Sequence, residues 1–232
     1  MDKIELKLWK KVYRWLFLFR MVPFLKMVCV SNSLSFGVVD EKSDIDVFII
    51  TTAGRLYTAR FFLNLFLKVF RLRVSGRKVF GRFCLSFIVD EKNVDLSNFM
   101  IGDDVYLYFW TKRLLPILDR GGLRKFEEVN GSQLDLGHLK KPGGFFRGVS
   151  RILESLFGGL EEFLRKRQIS HVVNKLKIDN DSTKIIFTDG VFKVHLNDMR
   201  ENIRDAYRKI DPNGMDDKKF ISLLMSLKSP GK

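Results

Sequence analysis

Residues 28–50 read VCVSNSLSFGVVDEKSDIDVFII, and this stretch decides the fold. Met27–Ser31 is apolar and rich in β-branched residues, too short for a helix, and predicts a strand ending in Ser31-Asn32-Ser33. A polar loop with Gly37 and room for one helical turn runs on to Asp44. Ile45–Thr52 (IDVFIITT) is nearly all apolar and predicts a second, buried strand. Asp44 comes eleven residues after Ser33, with Asp46 two residues further on. Side chains alternate along a strand, so Asp44 and Asp46 share one face and Ile45 and Val47 the other.

Two carboxylates on one face repel each other, and a divalent cation removes that cost. Mg²⁺ (or Mn²⁺) takes carboxylate oxygens together with substrate phosphates. Two such ions about 4 Å apart hold the attacking and leaving oxygens of a phosphoryl transfer. Asp44 and Asp46 are therefore the candidate metal ligands. The small residues Ser31, Asn32 and Ser33, with exposed backbone N–H groups, are the candidate cradle for a triphosphate.

Outward from this segment, residues 4–20 predict a helix, with Ile4, Leu8, Val12 and Leu16 at helical spacing and Pro23 as its stop. Gly54 ends the strand, a basic apolar helix is expected over about Leu56–Arg73, and Gly76 and Gly81 bracket a turn. Arg82–Val89 reads as a third strand and Asp104–Leu115 as a helix. Pro116, Gly121 and Gly122 mark a break. Beyond it, Phe145–Ile169 reads as a long helix weakened at Gly158 and Gly159. Lys184–His195 reads as a hairpin turning at Asp189–Gly190, and Asn197–Lys209 as a helix capped by Asn197. The expected fold is α/β, equally describable as α+β: a small mixed sheet bearing the aspartates, helices against it, and a mainly helical C-terminal part. The expected division is 1–120 for the catalytic-type domain and 121–232 for the helical region with its hairpin.

Composition narrows the class. At 232 residues, 46% hydrophobic and 29% charged, the chain can bury a core, in which 22 phenylalanines should figure heavily. The longest stretch free of Asp, Glu, Lys and Arg is Met27–Val39, only 13 residues, so no transmembrane segment is expected. The charged N-terminus is unlike a secretory leader. Cys29 and Cys84 lie in apolar runs as buried thiols would, and the expected location is cytoplasmic. The protein is basic, with formal net charge +14, and eight of its cations fall between Arg55 and Arg82 with no acid among them. That block can meet phosphates or merely keep an apolar helix soluble.

The order strand, Ser31-Asn32-Ser33, loop, Asp44-Ile45-Asp46 resembles the nucleotidyltransferase superfamily, which includes DNA polymerase beta, poly(A) polymerases and the minimal bacterial nucleotidyltransferases. The wider stretch through RLYTARFFLNLF and FCLSFIVDEKNVDLS resembles uncharacterised bacterial nucleotidyltransferase-domain proteins. The resemblance implies transfer of a nucleotidyl group from an NTP to a hydroxyl acceptor, RNA or another nucleic acid among the candidates. It matches Ser33 to a phosphate-contacting serine, and Asp44 and Asp46 to the metal-binding pair. Two departures stand out. Asn32 replaces the usual glycine, although asparagine tolerates positive φ better than most residues. A third carboxylate is expected inside the strand after the helix, where Ser86 falls; Asp90, at that strand's end, is the nearest substitute. The alternative is a catalytically silent nucleotide- or nucleic-acid-binding protein on the same scaffold. His138 and His171 lack companions at metal-ligand spacing, and His195 reads as a partly buried residue beside a helix cap.

Overall fold

The computed structural model describes residues 2–76, 78–141, 144–176, 185–194 and 198–228. Among these, a mixed sheet of six strands lies between two sets of helices, an α+β arrangement. Helix α1 (Lys3–Met21) opens the chain. Asp2 caps it by accepting from the Lys3 N–H, and Leu8, Val12 and Leu16 are buried on one face. Strand β1 (Leu25–Val30) follows, then the short helix α2 (Asn32–Ser35), strand β2 (Ile45–Thr51), helix α3 (Leu56–Val69) and strand β3 (Phe83–Asp90). Strands β1 and β2 are antiparallel. Strands β2 and β3 are parallel, which requires a crossover, and α3 provides it.

Helix α4 (Val105–Lys112) is followed by a strand that the sequence reading missed, β4 (Leu115–Asp119), antiparallel to β1. Pro116 concealed it. β4 is an edge strand, and its register shifts opposite Pro116, both settings in which a strand accommodates a proline. The chain then turns at Gly121–Gly122 into α5 (Leu123–Asn130). Here a Cβ on Gly122 would lie 3.0 Å from Met27 Cβ and 3.1 Å from the Lys26 carbonyl carbon, so only glycine lets α5 start against β1.

The long helix expected across Phe145–Ile169 is two helices, α6 (Gly144–Phe157) and α7 (Glu161–Leu176), joined by a 3₁₀ turn at Gly158–Leu160. The hairpin is present as β5 (Ile185–Phe187) and β6 (Val191–Val194), and β6 pairs with β3. The strand order is therefore β4-β1-β2-β3-β6-β5. Lys184, His195 and Asn197 lie outside the described residues. Helices α8 (Arg200–Ile210) and α9 (Asp217–Lys228) complete the chain.

Alternation along the strands builds two cores. Val28, Val30, Ile45, Val47 and Ile49 face α1, α3, α6 and α7. Met27, Cys29, Phe48, Ile50, Phe87 and Val89 face α4, α5, α8 and α9. The second core is aromatic. Phe48 meets Phe87 and Trp110 with ring centres 5.3 Å apart and Phe126 at 5.7 Å. Phe48→Ala should therefore cost about 3–5 kcal/mol in lost burial and cavity. No described helix is long and apolar enough to cross a membrane.

Candidate metal and nucleotide site

Asp44 and Asp46 sit at the start of β2. The Ile45 N–H donates to the Arg82 carbonyl at 2.8 Å, and Ile45 and Val47 are buried in the core under α1 and α3. Both aspartates therefore take the opposite face. Their carboxylates come together with the thiol of Cys84, one ligand atom from each lying within 4.8 Å of the others. Cys84 is the cross-strand partner of Asp46.

This corrects the expectation about Ser86. Asp46 pairs with Cys84 but Phe48 pairs with Phe87, so two residues of β2 span three of β3. The extra residue breaks the alternation of β3. Leu85 and Ile88 join one core, Phe87 and Val89 the other. Ser86 lines a groove beside α3 and α7, and it does not line the cavity that holds Asp46.

Asp90 is not near the pair. It is opposite Thr51, five residues along β2 from Asp46, a strand length of about 16 Å. Its carboxylate is spent on the local turn, accepting from Gly54 N–H at 3.1 Å, Lys92 N–H at 3.0 Å and Asn93 Nδ2 at 2.7 Å. It is a buried turn residue, and the role of substitute third carboxylate does not fit its position.

The Ser31–Ser33 turn does adjoin the aspartates. The Ser31 N–H donates to the Asp46 carbonyl at 3.0 Å. Asn32 takes φ +53°, the left-handed conformation that asparagine bears better than most residues. Its side chain works in two directions. Oδ1 accepts from Trp110 Nε1 at 2.7 Å and from the Tyr106 hydroxyl at 3.1 Å, and the amide donates to the Asp46 carboxylate. Ser33, half-exposed, follows in the first turn of α2, where backbone N–H groups precede the first intrahelical bonds.

Asn32, Ser33 and Asp46 line one cavity of about 340 Å³, between β2 and β3 on one side and α4, α8 and α9 on the other. Two lysines also line it. Lys228 Nζ donates to the Val38 carbonyl at 2.9 Å and Ser43 Oγ at 3.1 Å, tying α9 to the loop before Asp44. Lys193, from β6, is 3% exposed, with Nζ 5.7 Å and 5.8 Å from the ring centres of Phe87 and Phe99. Burial, and then the Arg200 charge, pull its ammonium down to about 8. Arg200 itself is held between Asp104 and Asp198 at 2.7 Å each.

The electrostatics of the acidic cluster follow from crowding. Burial, and then the Asp46 charge, push Asp44 up to about 7. Burial raises Asp46 too, against the pull of donors from Asn32 and Cys84 and of the Lys228 charge. Burial and the two carboxylates push the Cys84 thiol up to about 12. A cation between the carboxylates would remove the repulsion, and the cavity on which Asp46 opens would leave room for the water and phosphate oxygens that Mg²⁺ or Mn²⁺ takes. A thiol is a poor ligand for Mg²⁺ and a better one for a softer ion.

Sequence reading missed Cys84, Lys193, Lys228, Tyr106 and Trp110. Lys193 had a signal, a lone lysine inside the apolar run VFKV. The others had none, since their place depends on strand register or on the return of the chain's end. No family model, no curated protein and no solved structure matches this chain.

Proposed function

We propose that the chain binds a nucleoside triphosphate through a divalent metal at Asp44 and Asp46 and transfers its nucleotidyl group to a hydroxyl acceptor. One observation carries the reading: the Asn32–Ser33 turn, Asp46 and two lysines line a single cavity beside the paired carboxylates. Ser33 and the first-turn N–H groups would meet phosphate, and Lys193 and Lys228 would add positive charge. The walls of Phe36, Tyr106, Leu107 and Trp110 suit a flat apolar base. Metal bound there would offset the charge of the triphosphate. A cytoplasmic location, where both cysteines stay reduced, goes with this reading.

Transfer forms a bond from the acceptor oxygen to the α-phosphorus and breaks the α–β anhydride. Pyrophosphate leaves with the electron pair, and the hydroxyl proton must go to a base. Among the described residues, the third group of the cluster is Cys84, a thiol that stays protonated near neutral pH. That observation favours a second reading, slow transfer or nucleotide binding without turnover.

Incubation with labelled NTPs, Mg²⁺ or Mn²⁺, and RNA, protein and small-molecule acceptors tests both. Labelled acceptor that disappears in Asp44→Ala supports transfer. Saturable NTP binding with no pyrophosphate release supports the silent binder. Absence of NTP binding overturns both.

A further inference from the structure

Six cations of the basic block between Arg55 and Arg82 line one groove. Among the described residues, strand β6 pairs with β3 from Phe87 to Val89, and none pairs with Cys84–Ser86 on that side. Helix α3, helix α7 and the loop after α3 wall that side, leaving a groove of about 1280 Å³. Glu161 fixes the walls together by accepting from the N–H groups of Tyr57 and Thr58 at 2.7 and 2.8 Å, at the start of α3. Arginines 60, 71, 73, 82 and 167 and two lysines line the groove, and among the described residues no carboxylate does.

Arg60 shows that this charge is more than a solvated surface. It is 7% exposed, and its guanidinium lies 3.6 Å from the Phe192 ring centre. Nη1 donates to Gln168, while the buried Nε has no partner. Burial, and then the Arg73 charge, pull it down to about 9. Among the described residues, Arg73 donates to neutral acceptors, Asn64 Oδ1 at 3.1 Å and the Phe83 carbonyl at 3.1 Å. A buried cation beside a second cation, with no anion among the described residues, is a costly arrangement that a bound anion relieves.

We propose that this groove binds the phosphodiester backbone of a single-stranded nucleic acid, with Arg60 and Arg73 gripping one phosphate at its floor. The volume exceeds the roughly 300–1,000 Å³ that encloses a small ligand, which favours an extended polyanion. Arginine outnumbers lysine, and the guanidinium fork fits phosphate oxygens two at a time. Phe61 is exposed on the groove wall as a ring on which a base can stack, a feature that an acidic peptide does not use. Cys84, which lines the groove, also lies within 4.8 Å of the aspartate carboxylates. The binding itself does not depend on nucleotidyl transfer.

The test is fluorescence anisotropy of the whole chain with a labelled oligouridylate of about 20 nucleotides, in chelator and without NTP. Failure of the transfer reading then leaves the result untouched. Three to five phosphate contacts give a log–log salt slope of roughly −2 to −3.5. Arg71→Glu with Arg167→Glu, both exposed in the groove, should weaken binding at least ~10-fold. Arg124→Glu with Lys218→Glu, which changes the net charge equally on other helices, should change it less than ~3-fold. Arg60→Lys keeps the charge but loses the fork, and a ~3- to 10-fold loss is expected. Equal losses in the two charge-reversed pairs would overturn the groove as the site. An oligoglutamate of equal charge competing as well as the RNA would overturn the phosphodiester identity, and tighter binding of a duplex would overturn the single-strand preference.

Discussion

Cys84 stands beside Asp46 across the parallel β2–β3 ladder, its sulfur within 4.8 Å of the carboxylates of Asp46 and Asp44. A protonated thiol supplies no negative charge there, so a cation at this cluster would have two carboxylates alone to hold it. Cys84→Asp adds a hard, charged ligand and should tighten Mn²⁺ at least ~10-fold by calorimetric titration. Ser86→Asp, two residues further along β3, should not, because its register leaves it away from Asp46. Equal tightening by both substitutions would show that the break in strand alternation does not exist in solution.

The raised Asp44 carboxyl sets a pH dependence. Its folded value of about 7 lies above its ordinary value of 3.8, so the folded chain keeps a proton that the unfolded chain has lost. Stability linked to this group is complete below the ordinary value and is lost as pH rises to about 7. Urea unfolding in chelator should show roughly 1–3 kcal/mol less stability at pH 8 than at pH 5 from this source. Asp44→Asn should flatten that part of the curve. Added Mn²⁺ should stabilise the wild type more at pH 8 than at pH 5, since protons compete with the metal. A wild-type curve identical in shape to that of Asp44→Asn would refute the crowded pair.

Asn32 is asked for two things at once, a left-handed backbone and a bridge from Trp110 and Tyr106 to Asp46. Asn32→Gly keeps the first and loses the second, leaving Trp110 Nε1 unsatisfied at a cost of about 1–3 kcal/mol. Asn32→Ala loses both, and the strained φ adds about 1 kcal/mol more. Denaturant midpoints should rank wild type above glycine above alanine. Alanine at or above glycine would mean that the backbone conformation is not the constraint.

Lys193 is buried in the cavity at a cost to the fold. Its folded value of about 8 lies below the ordinary 10.5, so its penalty is absent above about pH 10.5 and grows as pH falls through 8. At pH 7, Lys193→Met should stabilise the chain by about 1–3 kcal/mol and weaken NTP binding. Stabilisation with unchanged NTP affinity would remove Lys193 from the phosphate site while leaving its burial explained.

Much of this architecture was legible in the sequence because it rests on local periodicity. The stripe Leu8, Val12, Leu16, the β-branched run Ile45–Thr51 and the Asp189–Gly190 turn each specify their element with little help from distant residues. The shared face of Asp44 and Asp46 follows from the period of a strand and needs nothing else. Tertiary structure decided what periodicity does not encode. Strand β4 exists because a free edge of β1 accepted a proline-bearing segment. One extra residue in β3 put Cys84, and not Ser86, beside Asp46, and set Asp90 at the far end of the ladder. Lys193 and Lys228 reach Asp46's cavity from residues more than 140 positions away, and Arg60 meets Arg73 and Phe192 only when α3, α7 and β6 are assembled. Register, edge pairing and the meeting of distant charges depend on the balance of packing and desolvation over the whole sheet. For that reason the candidate ligands could be read from residues 28–50, whereas their third neighbour, the cavity and the basic groove required the folded chain.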